Sequence, residues 1–113
     1  MPSSLPQKIV KPRREKDDRS SPAHRAWVRR HHCCVSGCER LPIECAHVRV
    51  GTDGGVALKP SDHWTVSLCT VHHAEQHRIG EPAFERRHGI DLRAIASEFA
   101  SRSPHVTTSK TQA

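Results

Sequence analysis

Large apolar side chains are scarce in this chain of 113 residues. Hydrophobic residues make up 35% of the sequence and aromatic residues 4%, with two Trp, two Phe and no Tyr. A small domain with so few large side chains buries little apolar area, and such domains are commonly stabilised by an added link such as a bound metal. The composition therefore predicts one small domain that depends on a metal.

Long apolar runs are also absent from the sequence. No run of about 18 apolar residues occurs, which argues against a membrane-spanning helix. The N-terminal segment is polar and basic, and it has no apolar stretch of the kind found in secretory signals. We therefore expect a cytoplasmic protein without a membrane partner, and disulfides are not expected in that reducing compartment.

Cysteine and histidine are abundant instead, with five Cys and ten His. Cys34 and Cys38 form one short-spaced pair, and Cys69 and His72 form another pair further along the chain. Two such pairs are typical of a closed structural zinc site. We predict that these four residues bind one Zn²⁺; the alternative is a set of free thiols. Cys33 could replace Cys34 by a shift of one residue, although its spacing to Cys38 is looser.

A second histidine pair follows in the segment that begins at Thr70, which we predict to be helical. His73 and His77 are four residues apart, so they share one helix face and can bind one ion. His72 is rotated by about 100° from His73 and can therefore face a different metal. The alternative is that His73 and His77 are exposed polar residues. Cys45 has no near partner and is predicted to be a small core residue.

The remaining pattern predicts an α+β fold in a domain that spans residues 21–100. The predicted elements are a helix from Pro22 to about Arg30, an extended segment Leu41–Val50, a strand over 63–68, a helix from Thr70 to Gly80, and two short helices that begin at Pro82 and after Asp91. We expect Leu92, Ile95, Ala96 and Phe99 to form one buried stripe. Strand, loop, strand and helix in this order make a ββα unit.

The two ends of the chain are polar, and we predict that residues 1–20 and 101–113 are disordered. The first 30 residues contain nine Lys or Arg and three acidic residues, a surplus that equals the net charge of +6. The segment 1–20 is therefore either a solvated tail or a basic arm that binds phosphates.

Five segments carry a resemblance to a known family. They are CCVSGC, IECAHVR, KPSDHWTVSLC, CTVHHAEQH and GEPAFERRHGIDL, which lie between Cys33 and Leu92. Together they resemble the HNH, or ββα-metal, endonucleases. The closest likeness is to phage and prophage proteins of the Ref family, which are RecA-dependent recombination nucleases, and to DUF968-type proteins. The combination is specific, whereas any one segment is weak.

This resemblance implies a small zinc-stapled ββα-metal domain with flanking short helices and the activity of a metal-dependent DNA endonuclease. Its implied partners are DNA and a RecA-type recombinase filament. In the family, the histidine at the end of the first strand is the general base, which corresponds to His47 here. The family's helix histidines hold one divalent ion, Mg²⁺ or Mn²⁺, and they correspond to His73 and His77.

Three further positions are less clear from the resemblance. Asp62 is either a supporting acid of the site or a turn residue, and Arg49 is either a phosphate clamp or an exposed strand residue. Many relatives have an additional metal ligand just before the base, where this chain has Ala46. That departure favours an alternative function, a non-catalytic zinc-stapled module that binds nucleic acid. The pair of His73 and His77 favours the nuclease, because such a module does not need them.

Overall fold

The computed structural model describes residues 19–52 and 60–106. Within these ranges the elements are α1 (Pro22–Val28), β1 (Ile43–His47), β2 (Thr65–Cys69), α2 (Thr70–Ile79), α3 (Glu81–His88) and α4 (Leu92–Arg102). The predicted α+β class and the order of strand, strand and helix are present. No helix in the described ranges has the length and apolar character needed to cross a bilayer.

Local capping residues determine where the helices begin and end. The Ser21 hydroxyl accepts a hydrogen bond from His24 N–H at 3.3 Å, and Asp91 caps α4 in the same way. Gly80 and Gly89 have φ angles of +89° and +67°, which end α2 and α3. The predicted starts of α1 and α4 and the predicted end of α2 are confirmed, whereas α1 ends at Val28, before the predicted Arg30, and α3 begins one residue before the predicted Pro82.

The two strands form an antiparallel hairpin in which Ile43 lies opposite Cys69 and His47 opposite Thr65. The Gly-rich segment 51–55 lies in the loop that joins them, and residues 53–59 of this loop lie outside the described residues. Helix α2 begins directly after β2, so the sheet and the histidine-bearing helix are consecutive. This continuity places the last strand residue and the first helical turn side by side.

All five residues of β2 are buried. Thr65 and Ser67 alternate with Val66 and Leu68, a pattern that predicts one buried and one exposed face, but this prediction is wrong because both faces are covered. The segment after α1 covers the second face, where Ser67 donates to His32 O at 2.7 Å and accepts from Cys34 N–H at 2.8 Å. On the other elements, Leu92 and Ala96 of the predicted stripe are fully buried, whereas Ile95 and Phe99 are partly buried against the core.

The folded chain extends beyond the predicted limits of 21–100 at both ends. The Arg19 carbonyl accepts from Asp62 N–H at 2.7 Å. Helix α4 continues to Arg102, and Ser103 is buried with its hydroxyl 2.8 Å from His24 Nδ1. The predicted disordered tail therefore begins too early. The rest of the predicted arm and tail, residues 1–18 and 107–113, lie outside the described residues.

His24 generates a pH-dependence of stability. Its side chain is 0% exposed, and Nε2 has no hydrogen-bond partner within the described residues. Burial, reinforced by the nearby His63, lowers the pKa of His24 from 6.5 to about 4. The unfolded chain therefore binds a proton as the pH falls through 6.5, but the folded protein does not until the pH approaches 4. Stability from His24 is complete above pH 6.5 and is lost between these two values.

We predict that the free energy of unfolding falls by about 2 kcal/mol on account of His24 between pH 7 and pH 5. Urea unfolding at both pH values would show a smaller drop for His24→Gln than for the wild type. His32→Gln, at an exposed histidine, is the matched control and should keep the wild-type drop. Equal drops in the wild type and His24→Gln would contradict the prediction.

Candidate metal centre and active site

Four potential zinc ligands converge where the turn after α1 meets the junction of β2 and α2. The ligand atoms of Cys33, Cys38, Cys69 and His72 all lie within 4.8 Å of one another. Cys33 and Cys38 flank a tight turn that contains Gly37 with φ of +79°. Cys69 ends β2, and its sulfur also accepts from His72 N–H at 3.4 Å, so one residue caps the helix and faces the cluster.

The spacing within this cluster matches a zinc tetrahedron. The sulfurs of Cys38 and Cys69 are 3.9 Å apart. His72 Nδ1 lies 3.4 Å from the Cys33 sulfur and 3.3 Å from the Cys69 sulfur. Tetrahedral zinc, with bonds of about 2.3 Å to sulfur and about 2.0–2.1 Å to nitrogen, needs edges of about 3.6–3.8 Å. The residues present therefore fit a Cys3His zinc site.

Cys33, and not Cys34, is the second thiol of the turn in this cluster, which corrects the predicted ligand set by one residue. The Cys34 N–H donates to Ser67 O at 2.8 Å, and its thiol is not among the ligand atoms of the cluster. Its side chain lines a separate groove of about 470 Å³ beside Trp27 and Phe99. Adjacent cysteines thus face two different surroundings.

The protonation of the ligand thiols depends on their surroundings. Burial raises the pKa of Cys33 to about 11. A hydrogen bond from the backbone at Arg40 lowers the pKa of Cys38 below its ordinary value. Zinc binds the thiolate and displaces the proton, so metal affinity at this cluster depends on pH.

A second group, not predicted from the sequence, surrounds His72 and is formed with Glu75 and His88. Glu75 Oε1 and His88 Nε2 are 2.7 Å apart and connect α2 to α3. The hydrogen bond from His88 lowers the pKa of Glu75. A zinc-ligating imidazole is commonly oriented by polar groups beside it, and the pair of Glu75 and His88 lies within 4.8 Å of a ring nitrogen of His72. Sequence spacing gives no signal for the pair because it joins two helices.

The two histidines predicted for a second ion lie together on α2. Their Nε2 atoms are 3.2 Å apart, and this is the separation expected of two imidazoles on one ion, about 3.0–3.4 Å for bonds of about 2.1 Å. Glu44 of β1 lies 2.6 Å from Nδ1 of His73. A proton on Nδ1 that is donated to Glu44 leaves the His73 Nε2 lone pair beside His77. Glu44 was missed because its partner comes from a different element.

His47, the predicted general base, is paired with a buried carboxylate. Its Nε2 lies 2.8 Å from Oδ1 of Asp62, which is 3% exposed. The other carboxylate oxygen accepts from Ser21 N–H at 2.7 Å and from Arg25 Nη1. Burial raises the pKa of Asp62, but the hydrogen bonds from Ser21, His47 and Arg25 outweigh it and hold the pKa below its usual value. Asp62 therefore lies in the turn before β2 and is also an ionised partner of His47.

One cavity of about 480 Å³ brings the histidines of β1 and α2 together. Its walls include Cys45, His47, Arg49, Val50, His73, Gln76, His77, Gly80 and Glu81. Cys45 is half-buried and borders this cavity, so its predicted place in the core is wrong. Arg49 is exposed at the rim, where the N–H groups of Arg49 and Val50 donate to Glu81 at 2.8 and 2.9 Å. Gln76 Nε2 donates to His47 O at 3.4 Å.

The described fold and site are those of a small α+β protein with a Cys3His cluster that could hold zinc. A family model described as "Protein of unknown function (DUF968)" matches residues 4–105. The chain therefore belongs to this family, as its resemblance to DUF968-type proteins indicated. No curated protein and no solved structure matches the chain. The HNH assignment stays a prediction.

Substitution of the two adjacent cysteines tests the corrected ligand set. We predict that Cys33→Ser lowers zinc affinity by at least about tenfold and destabilises the fold, because metal binding contributes folding free energy in a domain of this kind. Cys34→Ser should retain one zinc per chain. Zinc content by elemental analysis and thermal unfolding by circular dichroism would measure both. Loss of zinc from Cys34→Ser but not from Cys33→Ser would reverse the correction.

Proposed function

We propose that this protein is a metal-dependent DNA endonuclease that hydrolyses phosphodiester bonds by an HNH-type mechanism. The observation that carries the proposal is the shared cavity of His47, His73 and His77. It combines a histidine held by a carboxylate with two imidazoles at the separation of ligands to one ion. General base and ion site are the two groups that hydrolysis of a phosphodiester requires.

His47 is the proposed general base. The hydrogen bond to Asp62 favours the tautomer with the proton on Nε2, which leaves Nδ1 to accept a proton from water. The resulting hydroxide attacks phosphorus, and the bond from phosphorus to the 3′ oxygen breaks in line with the attack. The ionised Asp62 stabilises the imidazolium that forms, so Asp62 is a positioning residue for His47.

His73 and His77 are the proposed ligands of the divalent ion, Mg²⁺ or Mn²⁺, and Glu44 orients the first of them. When bound, the ion supplies charge stabilisation to the scissile phosphate and the leaving oxygen. Two imidazoles and no protein carboxylate leave the remaining positions to water and phosphate oxygens, as hard cations commonly allow. Arg49 at the rim is a proposed phosphate contact.

DNA is the proposed substrate because the chain carries a net charge of +6, which favours a polyanion. The likeness to Ref-family proteins extends the proposal to a phage-derived, recombination-associated role with a RecA-type filament as partner. The second candidate is a zinc-stapled module that binds nucleic acid without cutting it. Its supporting observation is Ala46, which is 0% exposed and supplies no ligand.

We predict that His47→Ala lowers plasmid nicking by about 10²–10⁴-fold, because a general base acts in the transition state. Zinc content and DNA affinity should not change. Asp62→Asn should also slow nicking, with its effect on kcat larger than on KM. His32→Ala removes an exposed histidine and is the control. Binding without cutting in Mg²⁺ or Mn²⁺, on bare DNA and on RecA-coated DNA, would favour the binding module.

A further test separates the ion site from the base. Glu44→Gln should raise the Mn²⁺ concentration needed for half-maximal nicking by about 10–100-fold, because it loosens the orientation of His73. Glu39→Gln removes an exposed acidic residue of the same segment and should not. Mn²⁺ binding followed by electron paramagnetic resonance gives a readout that does not depend on cutting. Equal Mn²⁺ affinity in the two variants would contradict the role of Glu44.

A further inference from the structure

Helix α1 is connected to the candidate active site by a chain of polar contacts. Arg25 of α1 binds one oxygen of Asp62, and the other oxygen of Asp62 binds His47. The positive charge of Arg25 therefore forms an ion pair within the protein, with the buried carboxylate of Asp62. One face of α1 is thereby directed at Asp62 and, through it, linked to His47.

Arg29 continues this face of α1. It follows Arg25 by four residues at the end of the helix and donates its backbone N–H to Arg25 O at 3.1 Å. Residues four apart lie above one another on a helix, so the two side chains leave α1 in similar directions. Arg29 is exposed, and within residues 19–52 and 60–106 its guanidinium makes no hydrogen bond or ion pair.

The positive charge of Arg29 is near enough to act on Cys45 of β1. Burial raises the pKa of Cys45, and the positive charges of Arg29 and Arg25 oppose that rise. Cys45 lines the cavity together with His47, two residues further along the strand. Arg49 lines the cavity at the end of β1, and Arg29 at the end of α1 adds an exposed positive charge that acts on Cys45.

We propose that Arg29 binds a backbone phosphate of duplex DNA beside the cavity. Helix α1 would then hold the DNA strand close to its scissile phosphodiester bond. This inference rests on the proposed function, because it takes the substrate to be DNA. An exposed guanidinium presents a planar fork of donors that suits phosphate oxygens. Arg25 fixes the position of α1 through Asp62, and Arg29 one turn later makes the contact with substrate.

The experiment measures how binding of a fluorescent duplex oligonucleotide depends on salt. All proteins are full-length and carry His47→Ala, so that the DNA stays intact. Arg29→Ala should reduce the slope of log K against log[salt] by about one, as expected for one lost phosphate contact. Arg29→Lys should keep most of the slope. Arg30→Ala is the matched control, because it removes the same charge from the adjacent exposed residue and should keep the slope.

The outcomes separate this inference from the proposed function. Equal reductions of the salt slope for Arg29→Ala and Arg30→Ala, with zinc content intact, would overturn the inference. They would show that Arg29 contributes only its positive charge and makes no specific phosphate contact. Nicking by the protein with His47 intact would leave the proposed function standing in that case. A reduced slope for Arg29→Ala alone supports the contact even where the protein with His47 intact cuts no DNA. The absence of cutting by the protein with His47 intact would contradict the nuclease proposal, and the reduced slope would still show that this surface binds DNA.

Discussion

The position of Cys69 constrains most of the functional architecture. This residue ends β2, caps α2 and contributes a sulfur to the cluster. Because its sulfur engages both the N–H and the ring of His72, it fixes the rotation of α2 about its axis. With His72 turned to the sulfurs, the next residue faces β1, and the residue four further on shares that face. His73 and His77 are therefore directed at the cavity by the same contact that assembles the zinc cluster.

Asp62 makes a comparable connection at the opposite end of the sheet from Cys69. A buried carboxylate is costly unless it is fully paired, and this one is paired by three groups from two parts of the chain. Ser21 and Arg25 bring the N-terminal helix, and His47 brings the end of β1. In a domain with so few large apolar residues, specific polar contacts of this kind take over positioning that a larger core would provide. As a consequence, the alignment of α1 and the orientation of His47 both depend on the Asp62 carboxylate.

Local signals predicted the elements well, whereas contacts between elements were predicted poorly. Ser21 and Gly80 mark helix ends through bonds or backbone angles that involve only their neighbours, so the sequence was sufficient. The choice between Cys33 and Cys34 depends on which thiol faces the cluster, and this depends on how the turn packs against β2, where the Cys34 N–H donates to Ser67 O. Spacing alone favoured the wrong one. The role of Glu44 could not be predicted from spacing because its partner, the imidazole of His73, belongs to another element.

The position of Ala46 bears on both candidate functions. Its side chain lies in the apolar core opposite Val66 and is 0% exposed, so a charged ligand at this position would be buried among apolar groups. The absence of a ligand there is therefore a property of how β1 packs and not a gap in the wall of the cavity. A strand in this register offers its polar side chains from other positions, and Glu44 and His47 are the ones that reach the site. Glu44 contacts His73 and is not itself a proposed ligand of the ion. The ligands of the proposed site are therefore two imidazoles and oxygen atoms from substrate and water. Such a site would bind its ion weakly without DNA, and ion and substrate would then stabilise each other's binding.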